Sequence, residues 1–196
     1  FCLSRGLGDV YKRQVLGGYG DGGMVVTEDA DLADRVRRLR FYGMQESYSS
    51  LEEGYNSRLD EVHAAILNLK LDQLEQQVGI RRNIADRYNR ELRGVGDIVL
   101  PKIAPGRTHQ FYVYTIRTKD RAGLQAGLAQ QGIETKVNYP TPVHLMSGYH
   151  FLGYQPGSLP ITEQLADEIL SFPLFPGMSD EEVGSVIAAV RSCFPE

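Results

Sequence analysis

The sequence predicts an α/β fold, because short β-branched segments alternate with longer stretches in which apolar residues recur at helical spacing. The chain has 196 residues, of which 42% are hydrophobic and 23% are charged, as in ordinary globular proteins. Its net charge of −4 argues against a strongly basic nucleic-acid-binding protein and provides no attraction to an anionic membrane. The sequence shows no apolar run of the roughly 20 residues that cross a bilayer. Cys2 and Cys193 stand at opposite ends, which predicts a reducing, cytoplasmic setting without a disulfide framework or zinc site.

The segment 1–14 differs from the rest of the chain. It has neither a helical nor a strand period, and it lacks a signal-peptide pattern. It resembles a translated adaptor tail, which makes a non-native segment our expectation, with a flexible natural tail as the alternative. The fold is therefore predicted from residue 15 onward.

After a glycine cluster at 17–23, the sequence predicts one strand and one helix. Met24–Thr27 is short, apolar and β-branched, which favours a strand. Asp29 or Thr27 can cap the helix that follows, whose apolar residues share one face. Its last turns carry four arginines, which suit the negative end of the helix dipole, and Gly43 ends it.

A loop and a long helical region come next. Residues 44–56 are polar, aromatic and non-periodic, and they predict a loop long enough to have a function. Ser57–Asp60 resembles a capping box at the start of the helical region. Gly79 predicts a bend or a break in that region, and Gly94 and Gly96 end it. The double apolar pattern of the region could cover one face within the chain and another against a second chain.

The remainder predicts a small α/β unit. Its predicted strands are Phe111–Arg117 and Ile133–Asn138, and a loop over Pro140–Tyr154 contains His144 and His150. Three helices are predicted from their first residues. The first is capped by Asp120 and ended by Gly132, the second starts at Pro160 or Thr162 and contains Ile169, and the third has a capping box of Ser179 and Glu182.

Residues 18–23 match the dinucleotide-binding string GxGxxG, but their context is wrong for it. That motif needs a strand before it and a helix after it, whereas here the predicted strand follows. The interpretation of the chain as an NAD-linked oxidoreductase is therefore supported by this string alone. The four histidines are scattered and predict no metal site, and His63, inside the helical region, is interpreted as structural.

Three blocks together resemble the DegT/DnrJ/StrS-type sugar-nucleotide aminotransferases. They are LGGYGDGG at 16–23, GYNSRLD at 54–60 with AAIL at 64–67, and YPTPVHL at 139–145. The resemblance implies the C-terminal part of the fold of type I pyridoxal-phosphate (PLP) aminotransferases. Residues 15–93 would be the end of the large domain with long connecting helices, and 94–196 the small C-terminal α/β domain. It also implies a homodimer.

The resemblance implies that no catalytic residue is retained. The family's Schiff-base lysine falls on Gln14 and the asparagine after it on Val15, while Lys12 belongs to the foreign-looking segment. PLP chemistry needs a lysine amine to hold the aldehyde and to move a proton, so we expect this chain to be inactive alone. A family branch of PLP-dependent sugar dehydratases has histidine at that position and stays an alternative.

The resemblance also implies binding residues. Asn56 matches the residue that reaches across the dimer to the PLP phosphate. His144 matches a histidine on the substrate side of the pocket, and Arg58, Tyr48 and Tyr139 are further substrate-contact candidates. In addition, Asn138 stands where many relatives have histidine.

The implied reaction transfers an amino group, usually from L-glutamate, to a keto group on a nucleotide-linked deoxysugar used in polysaccharide or glycoside biosynthesis. The implied partners are therefore a second copy of the chain, a nucleotide sugar and an amino-acid donor. A non-catalytic nucleotide-sugar-binding or regulatory relative is the alternative of another class.

Overall fold

The computed structural model describes residues 16–17, 19–20, 22–46 and 48–194, and the chain divides into two compact units, 1–77 and 78–196. The described residues combine helices with short strands, which confirms the mixed α/β composition. Gln14 and Val15, at the predicted lysine and asparagine positions, lie outside the described residues. The division falls inside a helix, and the predicted family boundary between 93 and 94 stays a prediction.

The first unit contains two helices, a two-stranded hairpin and the start of a third helix. Helix α1 spans Ala30–Leu39, strands β1 and β2 span Met44–Glu46 and Ser49–Ser50, helix α2 spans Glu61–Leu71, and helix α3 spans Leu74–Glu91. The predicted cap of α1 is confirmed, because Asp29 Oδ1 accepts a hydrogen bond from the backbone N–H of Leu32 at 3.0 Å.

Two predictions for the segments around α1 are wrong. Met24–Thr27 is not a strand: Val26 forms a single β-bridge, and the side chain of Val26 is 60% exposed. A strand needs a continuous ladder of hydrogen bonds, which the described residues do not provide here. The predicted loop at 44–56 contains the β1–β2 hairpin. The sequence does not predict this hairpin, because its two strands are short and mostly polar and lack the apolar alternation typical of a strand.

Two predictions for the helical region are also wrong. The Ser57 capping box does not form, since α2 begins at Glu61 after Asp60, whose side chain makes no cap hydrogen bond. The break falls between α2 and α3 rather than at Gly79, which lies inside α3. A glycine costs only about 1 kcal/mol in a helix interior, and burial of the side chains on one face of α3 outweighs that cost. The buried side chains include Val78, Ile84 and Tyr88.

The second unit packs helices against a small antiparallel sheet. After α3 come β3 at Tyr114–Arg117, α4 at Arg121–Gln130, two 3₁₀ helices at Val143–Leu145 and Ser147–Leu152, α5 at Pro160–Glu168, β4 at Ile169–Phe172 and α6 at Asp180–Ser192. Strands β3 and β4 pair with Tyr114 opposite Phe172. Single bridges place Val99 beside β3 and Lys136 beside β4.

The predicted caps of this unit are confirmed. Asp120 accepts a hydrogen bond from the backbone N–H of Gly123 at 2.9 Å, and Gly132 follows the end of α4 with a φ of +75°. Ser179 and Glu182 form the capping box of α6, with both reciprocal hydrogen bonds present. Caps depend on residues within one turn, so a local pattern suffices to predict them.

The predicted strand and loop boundaries of this unit need correction. Phe111–Arg117 is a strand only from Tyr114, Ile133–Asn138 contributes one bridge at Lys136, and the loop at 140–154 contains the two 3₁₀ helices. Ile169 opens β4 instead of extending α5, because pairing with β3 buries the residues that follow it, Leu170 and Phe172.

The hydrophobic core lies in the second unit, between α3, the β3–β4 sheet, α4 and α6. Tyr88 and Tyr114 are fully buried with ring centroids 5.0 Å apart, and the Tyr88 hydroxyl donates to the Pro173 carbonyl at 2.8 Å. Every buried hydrophobic side chain among the described residues lies at Val78 or beyond. None of the described helices is both long and apolar enough to cross a membrane.

Candidate functional site

Backbone hydrogen bonds hold Asn56 against the C-terminal end of α1. The N–H of Tyr55 donates to the carbonyl of Leu39 at 2.7 Å, and the N–H of Ser57 donates to the carbonyl of Arg40 at 3.0 Å. Asn56 forms an antiparallel bridge with Phe41. The main chain of Asn56 is therefore fixed on both sides although its side chain is exposed.

Two glycines allow this close approach. A Cβ atom on Gly54 would lie 2.0 Å from the backbone nitrogen of Gly43, and a Cβ atom on Gly43 would lie 1.8 Å from the carbonyl oxygen of Glu52. Gly43 also has a φ of +71°, which side chains disfavour. Glycine at both positions lets the chain return to α1 and place Asn56 there.

Arg58 determines which way the carboxamide of Asn56 faces. The Nε of Arg58 donates to Oδ1 of Asn56 at 3.1 Å. A guanidinium has no acceptor atom, so the carboxamide must turn its oxygen toward Arg58 and its NH₂ away. The guanidinium of Arg58 lies over the rings of Phe41 and Tyr42, 5.4 and 5.9 Å from their centroids, and these cation–π contacts limit its movement.

Asn56 and Arg58 line a cavity of about 850 Å³ in the first unit. The segment 22–27, α1 and the segment 56–59 form its walls. Three of its lining residues are arginines, Arg37, Arg40 and Arg58, and none of the described lining residues is acidic. A cavity lining with excess positive charge and an outward-facing amide donor suits an anion.

This donor set fits the phosphate of PLP. The NH₂ of Asn56 can donate to a phosphate oxygen, and Arg58 adds positive charge while it orients the amide. The predicted position of the group that would hold the aldehyde of the cofactor, Gln14, lies outside the described residues.

His144 occupies a buried site in the second unit. It is 7% exposed, its Nε2 lies 3.1 Å from Oε1 of Glu163, and the ring of Tyr154 contacts it edge-on at 5.7 Å. Glu163 also accepts backbone N–H hydrogen bonds from Gly157 at 2.7 Å and Leu159 at 3.1 Å. The hydrogen bond from Gly157, followed by those from Leu159 and His144, lowers the pKa of the Glu163 carboxyl below its ordinary value.

The remaining predicted residues do not line the cavity of Asn56. Tyr48 lies at the β1–β2 turn with its side chain 96% exposed, and Tyr139 is 75% exposed in the second unit. His63 lies in α2, with its Nδ1 4.0 Å from the carboxylate of Asp60 and its side chain 27% exposed. The structure therefore brings Asn56 and Arg58 together, while His144 and Tyr139 belong to the other unit.

Sequence reasoning missed three residues. Arg37 and Arg40 were interpreted only as complements to the helix dipole, although their spacing of three residues places them on one face of a helix. No pattern in the sequence indicated that Glu163 contacts His144, because the two residues are 19 positions apart. Within the described part of the chain, no group of three or more metal-binding side chains occurs.

Comparisons with known proteins agree on one family. The profile of the DegT/DnrJ/EryC1/StrS aminotransferase family matches residues 11–191. A "Pleiotropic regulatory protein" of Geobacillus stearothermophilus is 46% identical over 181 residues, which are 91% of this chain and 49% of that protein. A dTDP-3-amino-3,4,6-trideoxy-alpha-D-glucose transaminase of Micromonospora megalomicea subsp. nigra is 45% identical over 186 residues, covering 92% of this chain and 50% of that protein.

A solved structure gives the same result. The crystal structure of DesV from Streptomyces venezuelae superimposes with a TM-score of 0.90 at 41% identity, over 94% of this chain and 50% of that one. The chain thus spans about half the length of the relatives it matches. The family match starts inside the segment 1–14, whose foreign origin stays a prediction.

Proposed function

The chain belongs to the DegT/DnrJ/EryC1/StrS aminotransferase family, and we propose that it is the C-terminal half of a PLP-dependent sugar aminotransferase. The whole protein would transfer an amino group, from L-glutamate as the expected donor, to a keto group on a nucleotide-linked deoxysugar. A close relative named as a dTDP-amino-sugar transaminase supports this substrate class. The proposed setting is the cytoplasm, where the products would enter polysaccharide or glycoside biosynthesis.

When bound, PLP supplies the electron sink that amino-group transfer requires. The contribution of this chain would be to hold the phosphate end of the cofactor. This role is supported by the hydrogen bond from Arg58 to Asn56, since it turns the NH₂ of Asn56 outward, where no described residue accepts from it. A neutral donor binds a phosphate oxygen without adding a charge that must be neutralised elsewhere.

We propose that the chain forms a homodimer and that Asn56 of one subunit donates to the phosphate of the PLP bound in the other subunit. Helix α2 follows the Asn56 segment and has no buried residue among those described. Val62 and Leu69 on α2 are 70% and 72% exposed. Apolar surface of this kind favours contact with a protein partner, and a second copy of the chain would cover it.

His144 would contribute on the substrate side. Its Nε2 is held by Glu163, so the proposed contact with a sugar hydroxyl would be made through Nδ1. A histidine oriented by a carboxylate can hold or move a proton near neutral pH. Tyr48 and Tyr139 remain proposed substrate contacts on account of the family resemblance alone.

A non-catalytic regulatory relative is the second candidate, because one close relative is named as a pleiotropic regulatory protein. The residue at the lysine position distinguishes the candidates, and genomic DNA covering codon 14 would identify it. Lysine there supports the transaminase and histidine supports the dehydratase branch of the family. Any other residue supports the regulatory relative.

The test of the cofactor role is a titration with PLP. Residues 16–194 would be joined to the N-terminal half of DesV, and PLP binding to the joined protein would be followed by absorbance. Asn56→Ala removes a hydrogen bond to a charged group, worth about 1.5–3 kcal/mol, so PLP affinity should fall roughly ten- to hundredfold. Asn56→Asp should weaken binding further, because it places a carboxylate against the phosphate.

The matched control is Asn68→Ala, which removes an exposed asparagine side chain from α2 and should leave PLP affinity unchanged. Circular dichroism would confirm that each variant folds. If the Asp variant binds PLP as tightly as the unsubstituted protein, Asn56 is a turn residue and does not contact the phosphate.

A further inference from the structure

Helix α1 and its C-cap residue, Arg40, carry four arginines, which form two pairs with different surroundings. Arg35 donates to Glu52 at 2.9 Å, and Arg38 pairs with both Asp34 and Glu52. Arg37 and Arg40 instead line the cavity of Asn56 and have no acidic partner among the described residues. Acidic side chains therefore compensate the charges of Arg35 and Arg38, whereas no described acidic side chain compensates those of Arg37 and Arg40.

A third arginine lines the same cavity as Arg37 and Arg40. Arg37 lies in α1 and Arg40 is the C-cap of that helix, three residues further on, so the two occupy neighbouring positions on one helix face. Arg58 enters the same cavity from the segment after Asn56, and its contacts are an amide oxygen and two aromatic rings rather than a carboxylate. The cavity thus contains three guanidinium groups and no described acidic side chain.

A helix C-terminus favours positive side chains through the dipole, but the dipole does not require that they share a cavity in which no described lining residue is acidic. A single phosphate group needs less positive charge than three guanidinium groups supply and less space than this cavity offers. A cavity of about 850 Å³ is in the range of pockets that hold whole small-molecule ligands. A single guanidinium group can bind a phosphate through two parallel hydrogen bonds, so three guanidinium groups match a ligand that carries more than one phosphate.

We propose that Arg37 and Arg40 bind the diphosphate of a nucleotide-linked substrate, with Arg58 between them and the cofactor-binding amide of Asn56. This inference rests on the proposed function for the identity of the ligand. It adds a substrate-binding role for α1, which would place nucleotide recognition in the same cavity as the phosphate donor.

The first test measures pyrophosphate binding to the 196-residue chain by calorimetry, with orthophosphate as the comparison ligand. Pyrophosphate should bind more tightly than orthophosphate, and the affinity should fall as salt screens the arginines. Arg37→Gln and Arg40→Gln should each weaken pyrophosphate binding about tenfold, since each removes charge-assisted hydrogen bonds. Arg35→Gln removes the same charge from the same helix outside the cavity, and it should change the affinity less than twofold.

The second test uses the joined protein and steady-state kinetics, so that association of the shorter chain does not limit the result. Arg40→Gln should raise the KM for the nucleotide sugar about tenfold while kcat stays unchanged. Equal effects of Arg35→Gln and Arg40→Gln in both tests would overturn the inference, because general positive charge would then explain the binding. The Asn56 variants report on PLP alone. Failure of the cofactor role would therefore appear as unchanged PLP affinity in those variants, and it can be distinguished from failure of the diphosphate inference, which would appear in the arginine variants.

Discussion

Glu163 is the residue around which the His144 site is organised. Its Oε2 accepts a hydrogen bond from the backbone N–H of Gly157. Its Oε1 accepts one from the backbone N–H of Leu159 and lies within hydrogen-bond distance of Nε2 of His144. These hydrogen bonds favour the charged form, which lowers the pKa of Glu163. The carboxylate therefore joins the start of α5 to the preceding loop and to the buried histidine.

This arrangement predicts acid sensitivity. A lowered pKa in the folded state means that folding favours the carboxylate, so its stabilisation is complete above the ordinary Glu pKa and is lost as pH falls through the folded value. We expect Glu163→Gln to destabilise the chain near neutral pH and to lessen the loss of stability on acidification. Thermal unfolding, followed by the near-ultraviolet dichroism of the tyrosines from about pH 7 to about pH 3, would measure both effects.

Glu134→Gln is the control for this prediction, because Glu134 makes only an exposed contact with Lys136 at 3.5 Å. It should leave the pH profile unchanged. Identical profiles for Glu163→Gln and the unsubstituted chain would show that the carboxylate does not stabilise the loop.

At the scale of elements, two glycines with equal space around them have opposite roles. A Cβ atom added at Gly79 or at Gly132 would have no heavy atom within 4 Å. Gly79 lies inside α3, whereas Gly132 ends α4 with a φ of +75°. The difference between them is backbone conformation, since neither position is crowded.

We therefore expect Gly79→Ala to stabilise α3 by about 0.5–1 kcal/mol, because alanine loses less entropy than glycine in a helix. Gly132→Ala should destabilise the chain by about 1 kcal/mol, because a side chain disfavours the left-handed conformation there. Chemical denaturation of the two variants would give the free energies of unfolding. Destabilisation by Gly79→Ala would mean that α3 bends at Gly79, as the sequence pattern alone indicated.

At the scale of the whole molecule, the first unit exposes apolar side chains without burying any of those described in a core of its own. The first unit has no buried hydrophobic side chain among its described residues, and Met24, Val26, Val62 and Leu69 are each at least 60% exposed. Surfaces of this kind bind protein partners or aggregate. The relatives are about twice as long as this chain, so additional protein is available in them to cover such a surface.

Residues 16–194 alone should therefore associate in solution instead of forming a uniform monomer. Replacing both Val62 and Leu69 with lysine should reduce the association, which size-exclusion chromatography with light scattering would detect. Ile161→Lys is the control, because Ile161 is equally exposed, at 73%, but lies in the second unit. A monodisperse monomer that unfolds in one cooperative transition would contradict this prediction.

Features that depend on neighbouring residues could be predicted from the amino-acid sequence. The caps formed by Asp29, Asp120 and Ser179 with Glu182 are present, because each hydrogen bond joins groups within one turn. The three sequence blocks led to the family and to Asn56 and Arg58 as candidates, which the structure brings together in one cavity.

Features that depend on residues far apart in the chain became visible in the folded structure. Ile169 opens a strand because β3, far away in sequence, pairs with the residues after it, and Met24–Thr27 lacks a ladder because a strand requires such a partner. The pairing of Arg35 and Arg38 with Glu52 leaves Arg37 and Arg40 for the cavity. Local patterns carry no information about these contacts, since hydrogen bonds and ion pairs between distant segments form only when the fold brings them together.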